Sequence, residues 1–267
     1  MKLLCIIISF ILIMFAEAQN LEKLPAMLEA KNGAKARVFL KKITANTLLF
    51  SGASSSEDKS IPLERIASLT FLPDESLSTI EKKIKENNKI EPDLENLITP
   101  YESYMTIPNN LQLLYTYQMC NWWLDGKKSL LENACNKLIV CDDQNIQTYG
   151  LRYSLLLALE NNDLLKAEDL IDSLDDSVMK KYFEAEFISM KLGPKHGMNR
   201  VTDFILKNAN DIDWLAPIEL LSAKLYLEMG MTNSAVQTAR QVSSIYKGTV
   251  IACEALEMID ILGDDLH

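Results

Sequence analysis

From Tyr101 to the C-terminus, apolar residues recur at helical spacing in blocks separated by short polar turns. Leu114, Tyr117, Cys120 and Trp123 mark one face of a predicted helix that starts at Pro108-Asn109-Asn110 and stops at Asp125-Gly126. Residues 129–140 return from that turn. The same reading pairs 149–160 with 164–174, 178–192 with 198–207, and 218–229 with 234–246, and a last helix over 249–262 caps the series. The N-terminal part has a different pattern, and residues 27–72 read as strands. Residues 37–43 and 47–50 are rich in apolar and β-branched side chains and flank a turn at Ala45-Asn46. A Gly/Ser-rich polar loop covers 51–59, and 60–66 leads into a further strand over 67–72. A charged helix over 76–85, capped by Asp74 or Ser76, and a connector over 89–100 holding Pro92 and Pro100 join the two parts.

The helical part repeats itself every 34 residues. Tyr226, Gly230 and Ala235 have equivalents at Leu192, His196 and Val201, and again at Ala158, Asn162 and Ala167. In the last unit Ala223, Tyr226, Gly230 and Ala235 supply a small residue, an aromatic, a turn glycine and a second-helix alanine. This resembles the tetratricopeptide repeat, one helical hairpin per unit. The first-helix tryptophan and closing proline of that family are absent, so a related helical-hairpin array stands beside it. The resemblance implies hairpins that bury their apolar faces on one another and leave an extended concave surface for a partner. The N-terminal strands, with Ile61-Pro62-Leu63 and Ile66 in the return strand, resemble Sm-like small β-barrel modules. Some such barrels bind RNA, but this chain has no aromatic-basic stacking surface for it. A domain so small is expected to need packing on the helices for stability.

The leader changes the setting. Lys2 precedes an apolar run over 3–15, and Ala16-Glu17-Ala18 is an A-x-A cleavage signature, so a cleaved secretory signal over 1–18 and a periplasmic or secreted product are expected. The run is shorter than the ~20 residues of a membrane span, no cysteine follows the cleavage site to make a lipoprotein, and no later stretch is apolar enough to span a bilayer. No Asn-x-Ser/Thr sequon occurs, which favours a bacterial periplasm. The net charge of −10 is uneven. Residues 31–72 carry +4, from seven Lys/Arg against Glu57, Asp58 and Glu64, while residues 73–267 carry −13. That acidity argues against nucleic acid or anionic lipid as the main ligand.

Four cysteines follow the leader. A hairpin turning at Asp125-Gly126 would bring Cys120 towards Cys135, a candidate disulfide, with Cys120–Cys141 as the alternative and buried thiols as the plain reading. Catalytic signatures are missing. The two histidines, His196 in a predicted inter-helix turn and the terminal His267, accompany no nucleophile, zinc or phosphate-loop motif. The carboxylate pairs Asp142-Asp143, Asp175-Asp176 and Asp264-Asp265 fall at helix ends, where acids cap helices, and no metal ligand set or cofactor is expected.

The fold class is therefore mainly α: an α-solenoid of tetratricopeptide-like hairpins over 101–267, after a signal over 1–18, a small β domain over 19–73 and a linker over 74–100. The expected function is a non-enzymatic protein-protein interaction or scaffold role in the cell envelope. First-helix side chains would meet a protein or peptide partner on the concave face: Tyr117, Trp122, Tyr153, Tyr182 and Glu186. Trp122 and Trp123 point about 100° apart on one helix, so one packs inside while the other faces groove or core. The alternative is an envelope enzyme or carbohydrate-binding protein acting on glycans through acidic residues, which would need two carboxylates in one cleft.

Overall fold

A computed structural model describes residues 24–53, 57–72, 75–87, 89–90, 92–141, 143–174, 177–208, 210 and 212–264. The expected leader, with its cleavage site, lies outside these, as do Asp74, Asp142 and the Asp175-Asp176 pair. The described chain is mainly helical, with a small N-terminal antiparallel sheet. Its described residues divide into two compact units: those of 24–72 together with 107–110, and those of 75–106 together with 111–264.

The first unit is a sheet of β1 (Leu24–Ala30), β2 (Lys35–Thr44), β3 (Thr47–Gly52), β4 (Asp58–Pro62) and β5 (Ile66–Phe71), in the order β4-β3-β2-β1-β5. All pairings are antiparallel, with Ala26 opposite both Val38 and Phe71. Alternate residues face the core: Ala26 and Leu28, Val38 and Leu40, Leu69 and Phe71 are all buried. Ala45 takes φ 49° in the β2–β3 turn, as the Ala45-Asn46 signal predicts. Two strands differ from expectation in their bounds. The Leu-Pro-Ala-Met-Leu-Glu-Ala run of β1 has little intrinsic strand preference, yet it pairs on both sides. β4 starts at Asp58 and Lys59, inside the predicted loop, and ends at Pro62, with a turn of 3-10 helix over Leu63–Arg65 before β5. Residues 107–110, expected to begin a helix, join this unit instead. The Leu69 amide donates to the Pro108 carbonyl at 2.8 Å, and Asn110 caps the Phe71 backbone in both directions.

The second unit holds eleven α-helices among the described residues: α1 (Glu75–Asn87), α2 (Leu94–Ile98), α3 (Gln112–Leu124), α4 (Lys128–Leu138), α5 (Gln144–Glu160), α6 (Leu164–Asp172), α7 (Val178–Leu192), α8 (Pro194–Asn208), α9 (Ile212–Glu228), α10 (Thr232–Ile245) and α11 (Val250–Asp264). The expected connector over 89–100 is partly helical, because Leu94 and Ile98 are anchored in the core. No described helix is long and apolar enough to cross a membrane.

From α3 on, helices pack in consecutive pairs, α3 with α4, α5 with α6, α7 with α8 and α9 with α10. Three of the turns share one hydrogen-bond pattern. A left-handed residue (Gly126, Asn162 or Gly230) ends the first helix, and the next amide donates to a carbonyl five residues back: Lys127 to Trp122, Asp163 to Ala158, and Met231 to Tyr226, each at 2.8 Å. The third pair departs from the 34-residue register. Its left-handed residue is Gly193, followed at once by Pro194, so His196 lies exposed inside α8 rather than in the turn where the repeat places it.

The first helices of these pairs also contact one another in succession, α3 to α5, α5 to α7, α7 to α9 and α9 to α11, and α11 packs back against α3. The five helices therefore surround a common interior. Helix α11 is suited to the return, since Val250, Ile251, Ala252, Cys253 and Ala255 are all buried.

Candidate functional site

Of the residues expected on an open concave face, Tyr117, Tyr153, Tyr182 and Glu186 are inside this ring of helices, and Trp122 is buried on another side of α3, against Tyr115. Tyr117, Trp122, Tyr153, Tyr182 and Glu186 are all buried, and only Trp123 keeps partial exposure, its ring 6.4 Å from that of Tyr153. Trp122 meets Tyr115 edge-to-face at 5.8 Å, and the Tyr117 hydroxyl donates to the Gly248 carbonyl. The correction has a simple cause. A face that is concave in an open array becomes core once the last helix returns to the first, which is where Tyr117, Tyr153, Tyr182 and Glu186 lie. The candidate disulfide is corrected too: Cys120, Cys135, Cys141 and Cys253 are free and buried. Desolvation holds the Cys135 and Cys253 thiols up at about 12, so they pack as small apolar groups.

What the ring encloses is charged. Arg152, from the middle of α5, reaches across to Glu254 of α11 in a two-pronged pair, Nη1 to Oε1 at 2.6 Å and Nη2 to Oε2 at 2.8 Å. The Tyr153 hydroxyl donates to Glu254 Oε1 at 2.8 Å, Arg152 Nε donates to the Tyr182 hydroxyl at 3.2 Å, and Lys224 of α9 stands 3.8 Å from Glu254 Oε2. Burial alone would raise the Glu254 carboxyl, but the Arg152 guanidinium overrides it and holds the group down at about 2. Glu186 of α7 shares this interior without such a partner. Its Oε2 accepts no hydrogen bond, and desolvation raises its pKa despite Arg152 and Lys224 nearby.

Above this cluster lies a pocket of about 560 Å³, within the ~300–1,000 Å³ typical of ligand sites. It opens among the first turns of α5, α7, α9 and α11. Asp143 caps α5 by accepting from the Asn145 and Ile146 amides, Ser177 caps α7, and Thr249 accepts from Ala252 at the start of α11. Gln144, Asn145, Thr148 and Tyr149 line it from α5, Val178 and Met179 from α7, Trp214 and Pro217 from α9, and Tyr246 and Ile251 from around the start of α11. Arg152 forms the floor, only 2% exposed, and is the one charged side chain among the described residues that line the pocket. Trp214 is held by the rings of Tyr182 and Phe183, at 5.3 and 6.0 Å.

Neither the pocket nor the Arg152–Glu254 pair follows from the 34-residue pattern. A usable signal was present: each of these charges stands alone within a long apolar stretch, Arg152 in 150–159 and Glu254 in 250–256, and a lone charge on an apolar face must find a partner. Among the described residues no cluster of His, Cys, Asp and Glu is arranged to hold a metal ion. The chain matches no family profile, no curated protein and no solved structure.

Proposed function

We propose that this chain is an exported, non-enzymatic binding protein of the cell envelope. Its N-terminal sheet would be an Sm-like module, and its helices a tetratricopeptide-like solenoid drawn into a closed ring. In this reading a protein or peptide partner docks at the mouth of the pocket at the first-turn end of α5, α7 and α9, not along a concave groove. The observation that carries it is the pocket itself: an open cavity walled by Trp214, Tyr149 and Tyr246, with amide and hydroxyl groups at its lip and one buried cation at its floor. Catalysis on glycans is less well supported, because it needs two carboxylates facing a substrate, and Glu186 and Glu254 are both buried and neither lines the cavity.

The test is site-specific photo-crosslinking in the native cells. A photoreactive residue at Met179, on the pocket wall, should give a discrete adduct. The same residue at Leu192, exposed at the opposite end of α7, should not. Identical adduct patterns from the two positions would remove the pocket as the docking site.

A further inference from the structure

We infer that the pocket over Arg152 takes an oxyanion head group, a carboxylate first of all, carried on an aromatic or aliphatic body. This rests on the reading of the pocket as a binding site and names the chemistry of what enters it. Among the described residues lining the pocket, all are apolar or neutral except Arg152. A guanidinium has five N–H donors. Nε is committed to Tyr182, and one hydrogen each on Nη1 and Nη2 is committed to Glu254, which leaves two donors on a group that borders the cavity. Lys224 faces Glu254 as well, and Glu186 stands near both cations, so the cluster beneath the pocket holds two basic and two acidic groups. An incoming oxyanion would therefore meet unused N–H donors in a water-poor setting, where charge-assisted hydrogen bonds are strongest. The first turns of α7 and α11 at the lip, capped by the neutral Ser177 and Thr249, add partial positive charge of the same sign, while that of α5 is capped by the Asp143 carboxylate. The body of such a ligand would lie against Trp214, Pro217 and Met179. A cationic head is disfavoured by Arg152 itself.

Calorimetric titration of the full chain tests this without altering the cluster. The probes are 4-phenylbutyrate, its neutral amide 4-phenylbutyramide, and a hexapeptide ending in phenylalanine as free acid or as C-terminal amide. The acid should bind about tenfold tighter than the matching amide, the worth of one charge-assisted hydrogen bond. Both should be lost in Thr148→Phe, which fills the cavity and leaves Arg152 and Glu254 in place, with the melting temperature as the check on folding. Preference for the peptide acid over phenylbutyrate identifies the end of a polypeptide as the source, and the reverse identifies a free small acid. Equal affinity for acid and amide overturns the oxyanion inference while leaving the pocket a binding site. No binding by any probe overturns the inference, and the crosslinking result then decides by itself whether the pocket is a docking site.

Discussion

At the scale of single residues, the interior of the helical unit turns on two carboxylates driven in opposite directions. Glu254 is held low by Arg152, so its contribution to stability is present above the ordinary carboxylate pKa of about 4.3 and is lost as pH falls towards about 2. Glu186 is raised, so the folded state holds its proton longer than the unfolded chain does, and its ionisation costs stability as pH rises. Glu186→Gln should therefore raise the melting temperature at pH 7 by a few degrees and change it little at pH 4, measured by thermal melts at both. Glu254→Gln removes one member of a buried pair and leaves Arg152 uncompensated. A loss of about 3–5 kcal/mol in urea unfolding is expected. The double replacement Arg152→Met with Glu254→Leu should recover most of it, since a well-packed apolar pair is often as stable as a buried ionic one. If the double variant is as unstable as the single one, the pair is required for more than charge balance.

Helices and turns carry the next set of consequences. Gly230 takes φ 75° with open space around the position a Cβ would occupy, so Gly230→Ala pays only in backbone strain, about 1 kcal/mol. Gly197 is different. A Cβ there would stand 2.4 Å from the Cβ of Ser189 on the neighbouring α7, so Gly197→Ala must push α7 and α8 apart, at about 1–3 kcal/mol. Chemical denaturation of the two variants should rank them in that order, and a smaller effect at Gly197 would mean that the two helices are not held at this distance. Element type was largely legible at this scale. Helical periodicity and turn residues placed the hairpins, and Val178–Leu192 coincides with α7. The misses share a cause. The start of β1 at Leu24, the helical stretch of Leu94–Ile98 and the grouping of 107–110 with the sheet unit are all decided by partners distant in sequence, against local preference.

For the helical unit as a whole, the return of α11 to α3 and α5 is the feature that matters most. In an open array each repeat touches only its neighbours, and removal of the last one leaves the rest folded. Here, deletion of residues 249–267 takes away Glu254 and uncovers the cores of α3 and α9. The shortened chain should lose protection from hydrogen exchange in α5 as well as in α10, since Arg152 loses its partner. Retention of native protection in α5 would show that the ring is not energetically closed. What the amino-acid sequence determined by itself was local: which segments are helical, where they turn, and that apolar stripes recur at a spacing suited to paired helices. Those follow from interactions a few residues apart. Whether the stripes face a groove or a core depended on the tertiary closure, because contact between α3 and α11 joins residues more than a hundred positions apart. That closure buried Tyr117, Tyr153 and Tyr182, paired Arg152 with Glu254, and left the pocket at one end of the ring.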